Sequence, residues 1–366
     1  MNRELFDLYS DYLLSSFAAT TGTGLSQLLE HTISHDQVSR MLNSEQLTPR
    51  DWWRVVKPHV RAVQHEQGVI SIDDSIVEKP YTDENEIVCW HYDHAKGRTV
   101  KGINFITALY EVDGVILPVS YRLVAKTEAY LDQGGQEKRR SPVTKNEHYR
   151  AMLDQCVKNR IPFRYVLNDL WFASADNMRF VKLDLAKEFI MALKANRKVA
   201  LSTEDKQNGR YRRLDRVPFG CDLPEGTLTT VYLEQVPFPL FLLRQVFTNA
   251  DGSTGVRYLV TSDSTLNADR EPPGRATIFQ RRWKVEEYHR SLKQNASLAK
   301  SPTRTPTTQT NHFVAALWSF TKLELLKTRT KKNHYALKTQ LYVSALQQAF
   351  QALRDLQPVR LDPLSA

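Results

Sequence analysis

Three cysteines in 366 residues, Cys89, Cys156 and Cys221, are too few and too widely spaced for a disulfide framework, and odd in number. Reduced thiols and a cytoplasmic place of action are the expectation. No apolar run reaches the length of a membrane span. Met1-Asn2-Arg3-Glu4-Leu5 lacks the charged-then-apolar order of a secretion signal, so no membrane partner is expected. No low-complexity tract and no internal repeat breaks the chain, which sets aside linker-like and solenoid classes. Neither common glycine-rich phosphate loop is present, nor a Gly-x-Ser-x-Gly elbow. Cys89-Trp90-His91-Tyr92-Asp93-His94 is suggestive of zinc, but no second cluster at ligand spacing accompanies it.

What remains is a globular composition, 41% hydrophobic and 25% charged, with 50 Lys and Arg against 41 Asp and Glu, a formal charge of +9. Such an excess suits a nucleic-acid partner, whose phosphates dominate affinity, but does not require one.

The first segment, 1–65, reads as helical. Leu5, Leu8, Tyr9, Tyr12 and Leu13 recur on one face. Ser34 and Gln37 have capping-box spacing, and Thr48-Pro49 opens a further helix. Two short helices around a tight turn fit a helix-turn-helix that reads DNA, and equally a small bundle that only packs.

From Gly68 the pattern changes. Val69 to Asp73 is a short buried strand ending in acids. Ile103 to Glu111 and Val115 to Leu123 are strands joined by Asp113-Gly114, a type I′ hairpin signal. Lys126 to Ser141 reads as loop, His148 to Val157 as helix, Arg164 to Leu167 as strand before Asn168-Asp169, and Asp184 to Leu193 as helix. Strands are predicted near Leu228–Val236, Leu240–Phe247 and Val256–Thr261. After Glu271-Pro272-Pro273-Gly274 one helix is predicted from about Ala276 to Leu292. A Ser/Thr/Pro-rich basic stretch, Lys300 to Thr310, then leads into the last helices. The order implies an α/β fold, a mixed sheet flanked by helices with an inserted β block.

Two strands therefore end in carboxylates, Asp73-Asp74 and Asp169. Neighbouring strands delivering acids to one sheet edge create a negative pocket that a hard divalent cation relieves. A single acid after a strand is more often just a turn or cap residue. In the late helix Phe279, Arg282, Glu286 and Lys293 stand at spacings of three, four and seven, which would lie along one stripe. Residues 281–304 hold seven Lys or Arg against Glu286 and Glu287. A charged face is ordinarily only solvated.

The segment Phe279 to Lys293 resembles the signature of a group of bacterial insertion-sequence transposases: Tyr, two residues, Arg, three residues, Glu, six residues, Lys. Arg282, Glu286 and Lys293 match it in register, and Phe279 stands where that family has Tyr. The resemblance, taken over residues 66–326, implies a ribonuclease-H-like catalytic core with an Asp-Asp-Glu triad. Asp73, with Asp74 as the alternative, is its first member, Asp169 the second and Glu286 the third. It also implies two magnesium ions, replaceable by manganese, held by Asp73, Asp169 and Glu286. Arg282 and Lys293 would position phosphates, with Phe279, Arg281 and Arg290 also against DNA. The expected segments are 1–65 helical and DNA-binding, 66–197 the first part of the core, 198–262 an inserted β subdomain, 263–300 the glutamate helix and 301–366 helical. The implied function is cleavage and strand transfer at the element ends of double-stranded DNA, carried out by a homodimer. A nuclease of the same fold without strand transfer, and a catalytically silent DNA-binding descendant, are the alternatives. Family members stack a flipped base on a Trp of the inserted block; residues 198–262 have none, leaving Tyr211, Phe219, Tyr232 or Tyr258.

Overall fold

The computed structural model describes residues 2–94, 96–217, 228–248, 251–266 and 275–356; Cys221, Phe219 and the Glu271-Pro272-Pro273-Gly274 break lie outside them. The chain divides into two compact units, 1–46 with 290–366, and 47–289.

The first unit is helical, with helices Arg3–Ser15, Gly22–Leu28, His35–Leu42, Pro306–Thr330 and His334–Leu356. The 25-residue Pro306–Thr330 helix is its axis. Its apolar face, including Phe313, Leu317 and Phe320, is buried. Its buried polar groups are met by the amino-terminal helices: His312 Nδ1 is 2.9 Å from Tyr9 Oη, Asn311 Nδ2 donates to the Leu42 carbonyl at 2.9 Å, and Ser319 Oγ to the Ser10 carbonyl at 2.9 Å. Satisfying these groups removes the penalty of burying them. The Ser34–Gln37 capping box forms as expected. Among the described residues no helix is long and apolar enough to cross a membrane.

The second unit is built on strands β1 (Val69–Glu78), β2 (Val88–Asp93), β3 (Arg98–Val112), β4 (Val115–Leu123), β5 (Glu128–Leu131), β6 (Glu137–Arg140), β7 (Tyr165–Asn168), β8 (Glu188–Leu193), β9 (Lys198–Val199), β10 (Arg212–Arg213), β11 (Leu228–Val231), β12 (Leu240–Thr248) and β13 (Thr254–Thr261). Nine of them form one mixed sheet in the order β11-β12-β13-β8-β7-β1-β3, with β2 and β4 sharing the far edge of β3. β1 runs antiparallel to β3 and parallel to β7, and β7 parallel to β8; the remaining pairings are antiparallel. Asp113 and Gly114 both adopt positive φ, 49° and 77°, as a type I′ turn demands.

Four expectations are corrected. Asp184 to Leu193 is not helical: Glu188–Leu193 is β8, a strand with Phe189 to Leu193 all buried, since a central strand is covered on both faces. Lys126 to Ser141 contains the exposed hairpin β5–β6. β1 continues past its acids to Glu78, because β3 pairs with it throughout. Within the β block at 198–262, β11 to β13 extend the main sheet, β13 pairing with β8, while β9 and β10 form a separate two-stranded sheet.

The helix Pro49–Val63 lies on this sheet, burying Trp52, Val56 and Val60; Trp52 Nε1 donates to the Pro118 carbonyl at 2.7 Å. Beside β1, a Cβ on Gly102 would stand 2.2 Å from the Val77 carbonyl oxygen. Gly102→Ala should therefore lower stability by about 1–3 kcal/mol, seen as an earlier urea midpoint; an unchanged midpoint would show that β1 and β3 can part there without cost.

Candidate active site

Parallel pairing of β1 with β7 sets Val69 level with Tyr165 and Ser71 level with Leu167. Asp73 and Asp169 each lie two residues past that last pair. Both are half-buried at the edge where the parallel pairing ends. Their charges interact. Burial, then Asp169, then Asp74 push Asp73 well above the ordinary carboxylate range, against hydrogen bonding from the Asp74 amide and the pull of Arg282. Asp169 is also raised, by burial first; the Trp171 amide and Arg282 oppose that shift.

Asp73 and Asp74 do not share a face. Alternation along β1 sends them to opposite sides of the sheet. Asp74 Oδ2 accepts from Asn104 Nδ2 at 2.8 Å and pairs with Lys145 Nζ at 2.7 Å, Lys145 being the first residue of the Lys145–Lys158 helix. On the other side Asp73 is opposite Thr107, whose hydroxyl accepts from Tyr288 Oη at 3.3 Å. The helix Trp283–Gln294 thus packs over the Asp73 face.

Asp169 is braced from behind. Asn168, fully buried, accepts from Tyr149 Oη at 2.9 Å, and Tyr149 stacks on Phe172 with ring centres 5.1 Å apart. Asn177 Nδ2 donates to the Phe172 carbonyl at 2.9 Å, and the Trp171 amide donates to Asp169 Oδ1 at 2.9 Å. These bonds fix the loop after β7 and one carboxylate oxygen.

The glutamate helix differs from its expectation. It is two helices, Arg275–Gln280 and Trp283–Gln294, broken at Arg281-Arg282. Phe279 is buried with Val69, Tyr165, Leu167 and Ile190. Arg281 is spent internally: its guanidinium pairs with Glu111 and donates to the carbonyls of Glu111, at 2.8 Å, and Gln67, at 3.1 Å. Little is left of it for phosphate.

Arg282 faces inward, exerting its charge on Asp73 and Asp169 and lying 3.6 Å from Glu286 Oε1. Its Nε is buried without a hydrogen-bond partner. The guanidinium rests over Phe279 and Trp283, 5.7 and 5.4 Å from the ring centres. Glu286 is half exposed, with 47% of its side chain open. Arg290, exposed, and Lys293, half-buried, lie on the later turns of the same helix, in the other unit.

Among the described residues no three His, Cys, Asp or Glu side chains converge closely enough to hold a metal. The Asp73–Asp169 pair does fit a hard cation in its chemistry: both carboxylates are held above their ordinary range, chiefly by burial, and backbone amides and Arg282 offset only part of that. Glu286 instead pairs with Arg282. Sequence reasoning missed Lys145 and Asn104, which engage Asp74, and Trp171 beside Asp169. Only Trp171 gave a signal, a large aromatic two residues after a candidate acid.

A raised carboxylate opposes folding once it ionises. Above the ordinary value of 3.8 the unfolded chain has released the Asp73 proton while the folded chain retains it. Stability therefore falls as pH rises from about 4 through the raised folded value. Asp73→Asn should reduce that slope, Asp169 keeping its own, and, in EDTA at neutral pH, raise the melting temperature by roughly 1–2 °C, the response to about 1 kcal/mol in a chain of this size. Calorimetry from pH 4 to 8 checks it; a variant that melts lower at neutral pH would contradict the mutual repulsion.

A sequence profile of the DDE superfamily endonucleases matches residues 1–234. No curated protein matches. Among solved structures, the chain is similar to piggyBac transposase in a cryo-EM synaptic complex with hairpin DNA, with a TM-score of 0.50 and 13% identity, covering 98% of this chain and 73% of that one. At that identity the likeness concerns fold. By its match over more than half its length, the chain belongs to the DDE superfamily endonucleases, a DNA-cleaving enzyme family.

Proposed function

We propose that this enzyme is a cut-and-paste transposase of an insertion sequence, cleaving double-stranded DNA at element ends and joining the freed ends to a target. The observation that carries the reading is the Asp73–Asp169 pair, two half-buried carboxylates near enough that Asp169 acts on the charge of Asp73, both held above their ordinary range. The antiparallel run β4-β3-β1 followed by parallel β7 and β8 supports a ribonuclease-H-like core.

In this reading Asp73 and Asp169 hold divalent metal, and Glu286 joins them on leaving Arg282. Two magnesium ions, or manganese, would supply activation of the attacking oxygen and charge neutralisation at the leaving one. The residues do the rest. Trp171, through its amide, orients one Asp169 oxygen. Arg282, released from Glu286, turns its buried guanidinium toward a backbone phosphate, which a planar donor fork grips well. Arg290 and Lys293 add phosphate contacts that set affinity and register, not sequence. Pairing two ends implies two copies, hence a homodimer.

The test is cleavage of a supercoiled plasmid carrying both element ends by the wild type and Glu286→Gln, with magnesium, manganese or EDTA. Wild type should cut at the ends only with metal, and Glu286→Gln should lose at least roughly a hundredfold in rate while retaining DNA affinity. Joined products separate transposition from hydrolysis alone. Undiminished cutting by Glu286→Gln would sink the triad; binding without cutting in manganese would favour the silent descendant.

Metal should also stabilise the fold through the same acids. Manganese at a hundred times its dissociation constant should add about 2.7 kcal/mol to wild type and far less to Asp73→Asn, seen by thermal shift. Equal shifts in both would place metal elsewhere.

A further inference from the structure

β1 keeps its backbone ladder to β7 only as far as Ser71, so Asp73 and Asp74 are held by strand pairing on the β3 side alone. Two side chains hold this stretch on the reverse face. Asn104 Nδ2 donates to Asp74 Oδ2 at 2.8 Å, and Lys145 Nζ reaches the same oxygen at 2.7 Å. They come from β3 and from the helix Lys145–Lys158, so both elements are tied to β1 at this point. Stability alone explains neither contact. Lys145 keeps 46% of its side chain exposed, and an ion pair that open contributes little. Asn104 is 1% exposed and its Oδ1 is buried with no hydrogen-bond partner, a cost that an apolar side chain of similar size would avoid. A buried orphan of that kind needs another explanation. The backbone supplies one. The amide of Asp74 donates to Asp73 Oδ1 at 2.8 Å. Asp74 thus has its side chain gripped on one face of β1 while its amide holds an oxygen of Asp73, whose side chain lies on the other. Asp169 is held in the same manner, its Oδ1 accepting from the Trp171 amide at 2.9 Å.

We infer that Asn104 and Lys145 are positioning residues for the carboxylate of Asp73, and that they act through Asp74. With the Asp74 side chain immobilised, its amide keeps Asp73 Oδ1 in one direction, and because a carboxylate is planar the second oxygen is restricted with it. Without the two contacts only β3 steadies the Asp74 backbone, and Asp73 has to be ordered when a cation arrives. That ordering lowers metal affinity without removing a ligand, as the loss of an outer hydrogen bond behind a ligating carboxylate does in general. The inference rests on the reading of Asp73 as a metal ligand, and it names the residues on the far side of the sheet that tune it.

The test is binding of manganese ion alone to the full chain, without DNA, read from the loss of the free-ion electron paramagnetic resonance signal. Asn104→Ala, which changes no charge, should weaken binding about tenfold. Lys145→Met should weaken it less, and Lys145→Arg should restore it. Charge alone predicts the reverse for Lys145→Met, since removing a cation near a cation site favours metal, so a weakening there is diagnostic. In plasmid cleavage the manganese concentration for half-maximal rate should rise by the same factor while the rate at saturating manganese holds, a split that damage to the fold would not produce. Should Asn104→Ala prove unfolded by circular dichroism, Lys145→Met is read in its place. Unchanged affinity in the variant read overturns the inference, and tighter binding overturns it in favour of Asp74 as a ligand set free. Manganese lost by Asp73→Asn but unaffected by Asn104→Ala removes this inference alone; manganese bound equally by wild type and Asp73→Asn removes the metal reading, and this inference with it.

Discussion

The parallel register of β1 on β7 is the constraint on which the rest of the second unit depends. Backbone hydrogen bonds hold the two strands in register as far as Ser71 and Leu167, and two residues on Asp73 and Asp169 are half-buried with Asp169 acting on the charge of Asp73. The surrounding structure holds that arrangement in place. Asn168, Tyr149 and Phe172 make a wall that does not yield, and buried strands on both sides leave β1 and β7 no freedom to shift. A looser sheet would slide the acids apart, since their repulsion favours separation. The energy that keeps them together is hydrophobic and lies elsewhere, in the cluster of Val69, Leu167, Ile190, Leu259 and Phe279. Local strain at a site, carried by a stable surround, is a common arrangement in enzymes.

The same strand separates two acids that a sequence cannot rank. Period-two alternation places Asp73 beneath the Trp283–Gln294 helix and Asp74 on the reverse face. There Asp74 is neutralised by Lys145 and anchored by Asn104, partners 71 and 30 residues away in the chain. A carboxylate already bonded to an ammonium and an amide is a poor donor for a cation. Asp74 is thereby engaged by side chains where Asp73 is not, a difference set by contacts with no local signature.

What was legible follows the same division. Local chemistry was readable: the Ser34–Gln37 cap, the Asp113-Gly114 turn, the order of acids along the chain, and the strands at 69, 103, 115 and 165. Tertiary override was not. Glu188-Phe189-Ile190-Met191-Ala192-Leu193 suits a buried helix and a buried strand equally, and only its place between β7 and β13 makes it β8. Phe279 to Lys293 looked like one helical stripe because spacing carries no information on breaks. Arg281, pulled into Glu111 and two carbonyls, interrupts it, and the break turns Phe279 into the core while Glu286 stays outside. The match in register to a transposase signature was sound as sequence, yet two of its neighbours, Phe279 and Arg281, serve packing.

The charges of the second unit combine into a directional field. A bare pair of carboxylates repels a phosphate backbone, so DNA would avoid Asp73 and Asp169 unless cations flank them. Arg282 lies within their field, and Lys194, Arg197 and Lys198 line a cleft that Trp171 also lines. On the proposed reading, a strand drawn to these cations would pass over the negative centre, and a divalent cation there would be favoured by both the carboxylates and the phosphate. On the same reading, the 3.6 Å pairing of Glu286 with Arg282 would have to open for the carboxylate to reach metal and the guanidinium to reach phosphate, so strand binding and completion of the carboxylate set would favour each other.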